Sequence, residues 1–208
     1  MGDIKIGKMV LGMVETNTYF LYDEETKEAV VVDPAKSGIA EKLGENGIKV
    51  AGVILTHGHF DHIMGVHKLQ NECGAKVYAY QGEDALLKDS KLNASDQIRR
   101  PYTVEADVLL KDKEEFSLAG IDFKVISTPG HTAGSCCYYI ASKKWLLSGD
   151  TLFAGSIGRS DLPTGSETEI IESVHKLIDS MEDDVTVYPG HGDSTTIGRE
   201  RSCNPFYS

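Results

Sequence analysis

The sequence predicts an α/β fold in which two β-sheets pack against each other and helices cover their outer faces. Three observations support this prediction. Short apolar segments of strand length occur in both halves of the chain. Helical segments accompany these strands, and two packed sheets with helices outside would bury this much apolar strand. In each half, a predicted strand also ends in a loop that carries histidine.

In the first half, apolar segments and turn residues predict five strands and three helices. The apolar run at 50–55 is typical of a buried strand. A helix is expected from Asp61 to Glu72, and Cys73-Gly74 ends it. The predicted strands are 5–11, 18–22, 29–33, 50–55 and 76–79, and the predicted helices are 38–46, 61–72 and 81–89.

In the second half, the pattern turns to strands and one long helix. The segment 166–181 is an amphipathic helix, with apolar residues on one face and Glu167 and Glu169 at its N-terminal end. No boundary between two domains is visible, so residues 1–208 are expected to form one domain. The predicted strands are 106–110, 115–118, 121–126, 135–140, 144–148 and 185–188.

The composition restricts the partners of the protein. A net charge of −11 leaves no basic stripe for nucleic acid. The four cysteines form no Cys-x-x-Cys pair, and no signal peptide or membrane span is visible, which favours a cytoplasmic protein with no membrane partner. We expect a monomer or a small homo-oligomer. Cys136 and Cys137 are adjacent in a predicted strand and should point to opposite faces.

The most informative motif is Thr56-His57-Gly58-His59-Phe60-Asp61-His62, directly after the strand at 50–55. It places three imidazoles and a carboxylate within six positions, although the whole chain has only seven histidines. Loops at strand ends can direct several side chains to one point. Histidine and aspartate are ligands of divalent metals, so the motif predicts a metal site.

Three further loops each place one metal ligand beside glycine at the end of a strand: His131, Asp150 and His191. One tetrahedral Zn²⁺ takes four ligands, and the candidates number seven. Two ions would fit, with Asp150 as a bridge. The first ion is assigned to His57, His59 and His131, and the second to Asp61, His62 and His191.

Asp33, His67 and His175 are given other roles. Asp33 ends a predicted strand and is a candidate acceptor for a ligand imidazole, the alternative being a turn or cap. His67 and His175 lie in predicted helices and are interpreted as ordinary histidines outside the site.

The ordered motifs His57-x-His59-x-Asp61-His62, His131, Asp150 and His191 resemble the signature of the metallo-β-lactamase superfamily. This resemblance implies a four-layer αβ/βα sandwich of two mixed sheets, with the metals at one edge. Residues 149–163, with Gly158-Arg159-Ser160-Asp161, resemble the glyoxalase II-like branch. The C-terminal segment from Gly190-His191-Gly192 to Asn204-Pro205-Phe206 is similar to short bacterial members of that branch. In the loop at 149–163, Asp161 stands where full glyoxalase II usually has an aromatic residue.

The resemblance implies a binuclear metallohydrolase that cleaves a thioester such as S-lactoylglutathione or a related hydroxyacyl thioester by attack of a metal-bound hydroxide. Two divalent ions per chain are expected, with Zn²⁺ preferred and Fe or Mn as alternatives. Asp61 would orient the nucleophile, and Arg159 would bind the glutathione portion of the substrate. Two alternatives use the same motif, namely a mononuclear iron persulfide dioxygenase and a lactonase.

Overall fold

Two six-stranded mixed sheets form the centre of the computed structural model, which describes residues 2–207. The first sheet has the spatial order β1-β2-β3-β4-β5-β6. Its first three strands are antiparallel, and β3 to β6 run parallel. These strands are β1 (Ile4–Leu11), β2 (Thr16–Asp23), β3 (Glu28–Val32), β4 (Lys49–Leu55), β5 (Lys76–Tyr80) and β6 (Val108–Leu110).

The second sheet has the order β14-β13-β10-β9-β8-β7, in which only β10 and β13 are parallel. A small hairpin of β11 and β12 follows β10. The strands are β7 (Glu115–Leu118), β8 (Ile121–Ser127), β9 (Cys136–Ile140), β10 (Trp145–Gly149), β11 (Leu152–Phe153), β12 (Ser156–Ile157), β13 (Thr186–Pro189) and β14 (Thr195–Thr196).

Six α-helices complete the four-layer arrangement, together with short 3₁₀ turns at Gln81–Glu83 and Ala141–Lys143. Ser166 caps α5 by accepting a hydrogen bond from the Glu169 amide at 3.3 Å. The helices are α1 (Ile39–Gly44), α2 (Phe60–Ile63), α3 (Val66–Cys73), α4 (Asp84–Leu87), α5 (Glu167–Ser180) and α6 (Ile197–Cys203).

Three apolar cores separate the four layers. Successive residues of a strand point to opposite faces, so Val31 packs with α1 and α3 while Val30 and Val32 pack between the sheets. Cys136 likewise lies in the core between the sheets, and Cys137 lies in the core beneath α5 and α6. This confirms the predicted sandwich and the opposite orientation of the two cysteines.

The predicted helix at 61–72 is wrong in one respect, because it is divided into α2 and α3 at Met64 and Gly65. The Gly65 amide donates to the Pro34 carbonyl at 2.7 Å. A Cβ atom at Gly65 would lie 2.5 Å from the Lys36 carbonyl oxygen. The chain therefore bends where the segment after β3 crosses the helix, a contact that helical periodicity does not reveal.

Other differences concern short elements. The predicted helix at 81–89 is a 3₁₀ turn followed by the four-residue α4. β11, β12, β14 and α6 were not predicted from the sequence. Each is held by tertiary contacts: α6, for example, buries Ile197 in the core beneath α5. Elements of two to seven residues are too short for a clear periodic pattern.

None of the helices within residues 2–207 is both long enough and apolar enough to cross a membrane.

We expect Gly65→Ala to lower the free energy of unfolding by about 1–3 kcal/mol, because the added methyl group meets fixed backbone atoms. Urea denaturation measures this change. Gly44→Ala is the matched control, since a Cβ at Gly44 meets nothing within 4 Å. It should leave stability unchanged or raise it by up to about 1 kcal/mol. Equal effects of the two substitutions would contradict the role assigned to Gly65.

Candidate metal centre

Four strand ends meet at one edge of the sandwich. The motif 56–62 follows β4 in the first sheet, whereas the loops with His131, Asp150 and His191 follow β8, β10 and β13 in the second. Thr16 forms an isolated antiparallel bridge with His191, and the Asn17 amide donates to the Gly190 carbonyl at 2.7 Å. These bonds hold the two sheets together at the predicted metal ligands.

His57, His59 and His131 converge as predicted, and all three are buried. His131 Nε2 lies 3.2 Å from His57 Nε2 and 2.8 Å from His59 Nδ1. Two nitrogens bound to one tetrahedral ion at about 2.0–2.1 Å lie about 3.3 Å apart. The spacing of His131 and His57 therefore fits a shared cation, whereas the 2.8 Å spacing of His131 and His59 is shorter than a tetrahedral ion requires.

Asp61, His62 and His191 form a second group, also as predicted. Asp61 Oδ2 lies 3.3 Å from both His62 Nε2 and His191 Nε2, and these two nitrogens are 3.4 Å apart. The three atoms form a nearly equilateral triangle with the edge length expected for ligands of one tetrahedral ion, about 3.3 Å.

Asp150 lies between the two groups. Its Oδ2 is 3.6 Å from His131 Nε2 and 3.4 Å from His191 Nε2, and its Oδ1 is 3.5 Å from His62 Nε2. In the part of the chain that the structure describes, Asp150 Oδ1 is buried without a hydrogen-bond partner. Buried carboxylate oxygens are normally paired, so this oxygen fits a cation ligand.

The approach to Asp150 depends on glycine at position 190. A Cβ atom there would lie 2.1 Å from Asp150 Oδ1 and 2.7 Å from His62 Cε1. Glycine at position 190 therefore allows the backbone to pack closely against the cluster.

Hydrogen bonds determine which nitrogen of each ring faces the cluster. Backbone carbonyls can only accept, so His131 Nδ1 donates to Arg159 O at 2.7 Å and His191 Nδ1 donates to Val14 O at 3.1 Å. His62 Nδ1 donates to Asp33 Oδ2 at 3.0 Å. Each bond leaves Nε2 toward the cluster, and such partners orient ligand imidazoles and raise their basicity.

Asp33 lies behind the cluster rather than in a simple turn. Its Oδ1 accepts the Thr56 amide at 2.8 Å, and its Oδ2 accepts the Thr56 hydroxyl at 2.6 Å in addition to His62. The Thr56 hydroxyl, having donated to Asp33, can accept from His57 Nδ1 at 3.1 Å. One carboxylate thus orients a ligand of each group.

Glu83 was missed from the sequence. This buried carboxylate accepts the Gly58 amide at 2.8 Å and the Thr132 hydroxyl at 2.9 Å, so it connects the loop of His57 and His59 to the loop of His131. Burial raises its pKa to about 7, against the lowering effect of these hydrogen bonds. A lone glutamate in a predicted helix carries no sequence signal of this role. Thr16 was also missed, and its hydroxyl donates to Asp61 Oδ2 at 2.8 Å.

The electrostatics of the two groups differ. Burial lowers the pKa of His59 to about 3 and that of His57 well below its usual value, which keeps both rings neutral with a lone pair available. Burial also lowers the pKa of His62, but Asp61, Asp150 and Asp33 outweigh it and raise this pKa. A cation bound at the second group would displace such protons.

A cavity of about 410 Å³ opens onto the cluster. Its walls include the apolar side chains of Val14, Phe60, Phe153 and Leu162. Arg159 lies at its rim with an exposed side chain, and its guanidinium forms two 2.7 Å bonds to the Asp161 carboxylate.

The two remaining histidines lie elsewhere. The ring of His67 packs on Tyr102 with centroids 4.4 Å apart, and His175 Nε2 lies 3.0 Å from the Phe206 carbonyl oxygen. Neither belongs to the groups of potential metal ligands in the described residues.

Residues 11–191 match the family model of the metallo-β-lactamase superfamily. The chain belongs to the metallo-β-lactamase superfamily. The probable metallo-hydrolase YqgX of Bacillus subtilis is 32% identical over 207 residues, covering 98% of this chain and 97% of that protein. The hydroxyacylglutathione hydrolase GloC of Haemophilus influenzae is 31% identical over 200 residues, covering 92% of each chain.

Solved structures of this superfamily share the fold. The BLEG-1 B3 metallo-β-lactamase has a TM-score of 0.90 at 38% identity, covering 98% of this chain and 100% of its own. A di-iron-bound form of TTHA1623 has a TM-score of 0.82 at 30% identity, covering 96% and 99%. ETHE1 from Myxococcus xanthus has a TM-score of 0.77 at 25% identity, covering 97% and 83%.

Superfamily membership agrees with the geometry of the cluster. Metallo-β-lactamase superfamily members are hydrolases that bind divalent metals, and this chain has a histidine and aspartate cluster suited to that purpose.

We expect Asp33→Ala to weaken metal binding by about 10–100-fold, because His62 loses its acceptor and Thr56 loses the partner that positions it beside His57. Competition with a chromogenic chelator measures the affinity.

The matched control is Asp107→Ala, which removes the acceptor of the Val77 amide in the same sheet but belongs to neither ligand group. Circular dichroism checks that both variants fold. The same metal affinity in Asp33→Ala and Asp107→Ala would refute the role of Asp33.

Proposed function

We propose that this protein is a binuclear metal-dependent hydrolase that cleaves a thioester. The observation that carries the proposal is the pair of three-ligand groups with Asp150 between them. The first ion would be held by His57, His59 and His131, the second by Asp61, His62 and His191, and Asp150 would bridge the two. Zn²⁺ is the preferred ion, and the di-iron form of TTHA1623 keeps iron as an alternative.

When bound, two divalent ions supply a water whose pKa is lowered to about 7, and a Lewis acid for the carbonyl oxygen. The residues of the chain hold and orient this chemistry. Asp61 Oδ2 is fixed by the Thr16 hydroxyl at 2.8 Å, which leaves its carboxylate facing the cavity beside the cluster. We assign Asp61 the task of orienting the nucleophile. The walls of Phe60, Phe153 and Leu162 would exclude bulk water from the bound substrate.

The substrate class is proposed as a hydroxyacyl thioester such as S-lactoylglutathione. GloC of Haemophilus influenzae, a hydroxyacylglutathione hydrolase, supports this choice through its similarity over most of the chain. Arg159 at the cavity rim is proposed to bind the thiol portion. We also propose a single-domain, cytoplasmic protein that is a monomer or a small homo-oligomer. We predict neither a nucleic-acid partner nor a membrane partner.

Asp150→Ala should lose metal and hydrolysis together while the fold survives, because the variant removes the carboxylate that lies between the two groups, at 3.4–3.6 Å from histidine nitrogens of both. Metal content by mass spectrometry and thioester hydrolysis by thiol release measure the two effects. Asp193→Ala, an exposed neighbour of the cluster, is the control and should change neither.

Full hydrolytic activity of Asp150→Ala would exclude the bridging role. One tightly held iron per chain in the parent protein, with O₂ uptake on glutathione persulfide, would favour the dioxygenase alternative. Hydrolysis of lactones in preference to thioesters would favour the lactonase.

Arg159→Ala should raise KM for a carboxylate-bearing thioester by about 5–10-fold, and much less for a small neutral thioester, because one exposed cation contributes modestly. Asp161→Asn is the complementary variant: it releases the guanidinium and should lower KM for the same anionic substrate. Steady-state kinetics with both substrates measures this difference. Equal changes for the anionic and neutral substrates would remove the anchoring role from Arg159.

A further inference from the structure

A second groove of about 500 Å³ adjoins the metal cavity. The two share Phe60 and Asp61 among their walls, so they lie next to each other. The floor of the groove is apolar, and two basic residues, Lys36 and Arg100, complete it. The apolar residues other than Phe60 are Met13, Ala35, Met64 and Ile98.

The backbone on the Lys36 side of the groove is firmly held. The Thr18 hydroxyl donates to the Asp33 carbonyl at 2.7 Å and accepts the Ala35 amide at 3.1 Å. The backbone at Lys36 lies against Gly65, where an added Cβ would lie 2.5 Å from the Lys36 carbonyl oxygen. The position of Lys36 therefore follows from the same segment that carries Asp33.

The backbone on the Arg100 side is held by a buried polar network in the loop before β6. Asn93 Nδ2 donates to the Tyr102 carbonyl at 2.7 Å, and the Tyr102 amide donates to Ser95 Oγ at 2.9 Å. The Arg100 amide donates to the Ser95 carbonyl at 3.2 Å, and the Phe60 amide donates to the Asn93 carbonyl at 3.0 Å. The loop is thus tied both to itself and to the helix of the metal cluster.

The charge of the groove is unbalanced. Within residues 2–207, neither Lys36 nor Arg100 takes part in an ion pair, in contrast to Arg159 at the rim of the metal cavity. The one acid among the lining residues, Asp61, has its Oδ2 bonded to Thr16 and placed between His62 and His191. In a chain of net charge −11, two unpaired cations beside the cluster form a local site for an anion.

We propose that this groove binds an anionic group, a carboxylate or a phosphate, at one end of the substrate, with the carbon chain on the apolar floor. The inference rests on the proposed thioester hydrolysis and deepens it. The preferred substrates carry a negative charge on either the acyl portion or the thiol portion, and this charge lies away from Arg159. Lys36 and Arg100 contact that charge, and Met13 and Ile98 contact the chain.

The test compares two pairs of thioesters. In one pair, the acetyl thioesters of 3-mercaptopropionate and of its amide differ by a carboxylate on the thiol portion. In the other, the succinyl and succinamoyl thioesters of 2-mercaptoethanol differ by a carboxylate on the acyl portion. Lys36→Ala/Arg100→Ala should raise KM of the carboxylate member of one pair by about 5–10-fold, with kcat and the amide member nearly unchanged.

Lys42→Ala/Lys49→Ala is the matched control, because it removes the same charge from exposed residues outside both cavities. Calorimetry with a non-hydrolysable thioether of the preferred carboxylate substrate gives a direct binding readout, and its Kd should rise by the same factor only in the first variant. Unchanged ratios in both pairs, or equal changes in the control, would overturn the proposal. If the parent protein hydrolyses none of the four thioesters, the proposed function fails. In that case, binding of the thioethers still tests the groove.

Discussion

The buried carboxylate of Asp33 is the contact on which the metal cluster depends. A buried charge is costly unless it is fully hydrogen-bonded, and all of the bonds to this one come from the loop that carries the ligands. Thr56 and His62 cannot move away from Asp33 without leaving its charge unpaired. Since His57 is held through Thr56, one carboxylate at the end of β3 determines the orientation of ligands in both groups.

A second constraint sets the position of one sheet on the other. The packed faces of the sheets are apolar and non-directional, so they do not by themselves prevent sliding. Directional bonds between the sheets lie at the metal edge: the Cys136 amide donates to the Thr56 carbonyl at 2.9 Å, Tyr138 donates to the Leu55 carbonyl at 2.9 Å, and Tyr19 donates to the Pro189 carbonyl at 2.9 Å. Stability and assembly of the site are therefore served by the same bonds.

The residues proposed to hold metal and those proposed to bind substrate differ in exposure. His57, His59, His62 and His131 are buried, and all of these except His59 have a hydrogen-bond partner behind the ring. In contrast, Arg159, Lys36, Arg100 and Met13 are exposed at the rim. Changes at the rim leave the ligand groups intact. This division gives a physical reason why one superfamily fold can combine the same type of metal cluster with different substrates.

Much of the fold and the composition of the cluster could be predicted from the sequence alone. Apolar runs such as 50–55 predicted the central strands, and seven candidate metal ligands could be named because histidines and aspartates followed strand ends in a recognisable order. Six of these candidates lie together in the two groups described above. The break at Gly65, the bridge by Glu83 and the pairing of Arg159 with Asp161 followed only from the tertiary structure. The periodic pattern of apolar residues indicates which face of an element is buried. It does not indicate which distant segment of backbone crosses that element. Contacts such as that of Thr132 with Glu83, 49 residues apart along the chain, exist only after the two sheets have packed, and they help to position the candidate ligands.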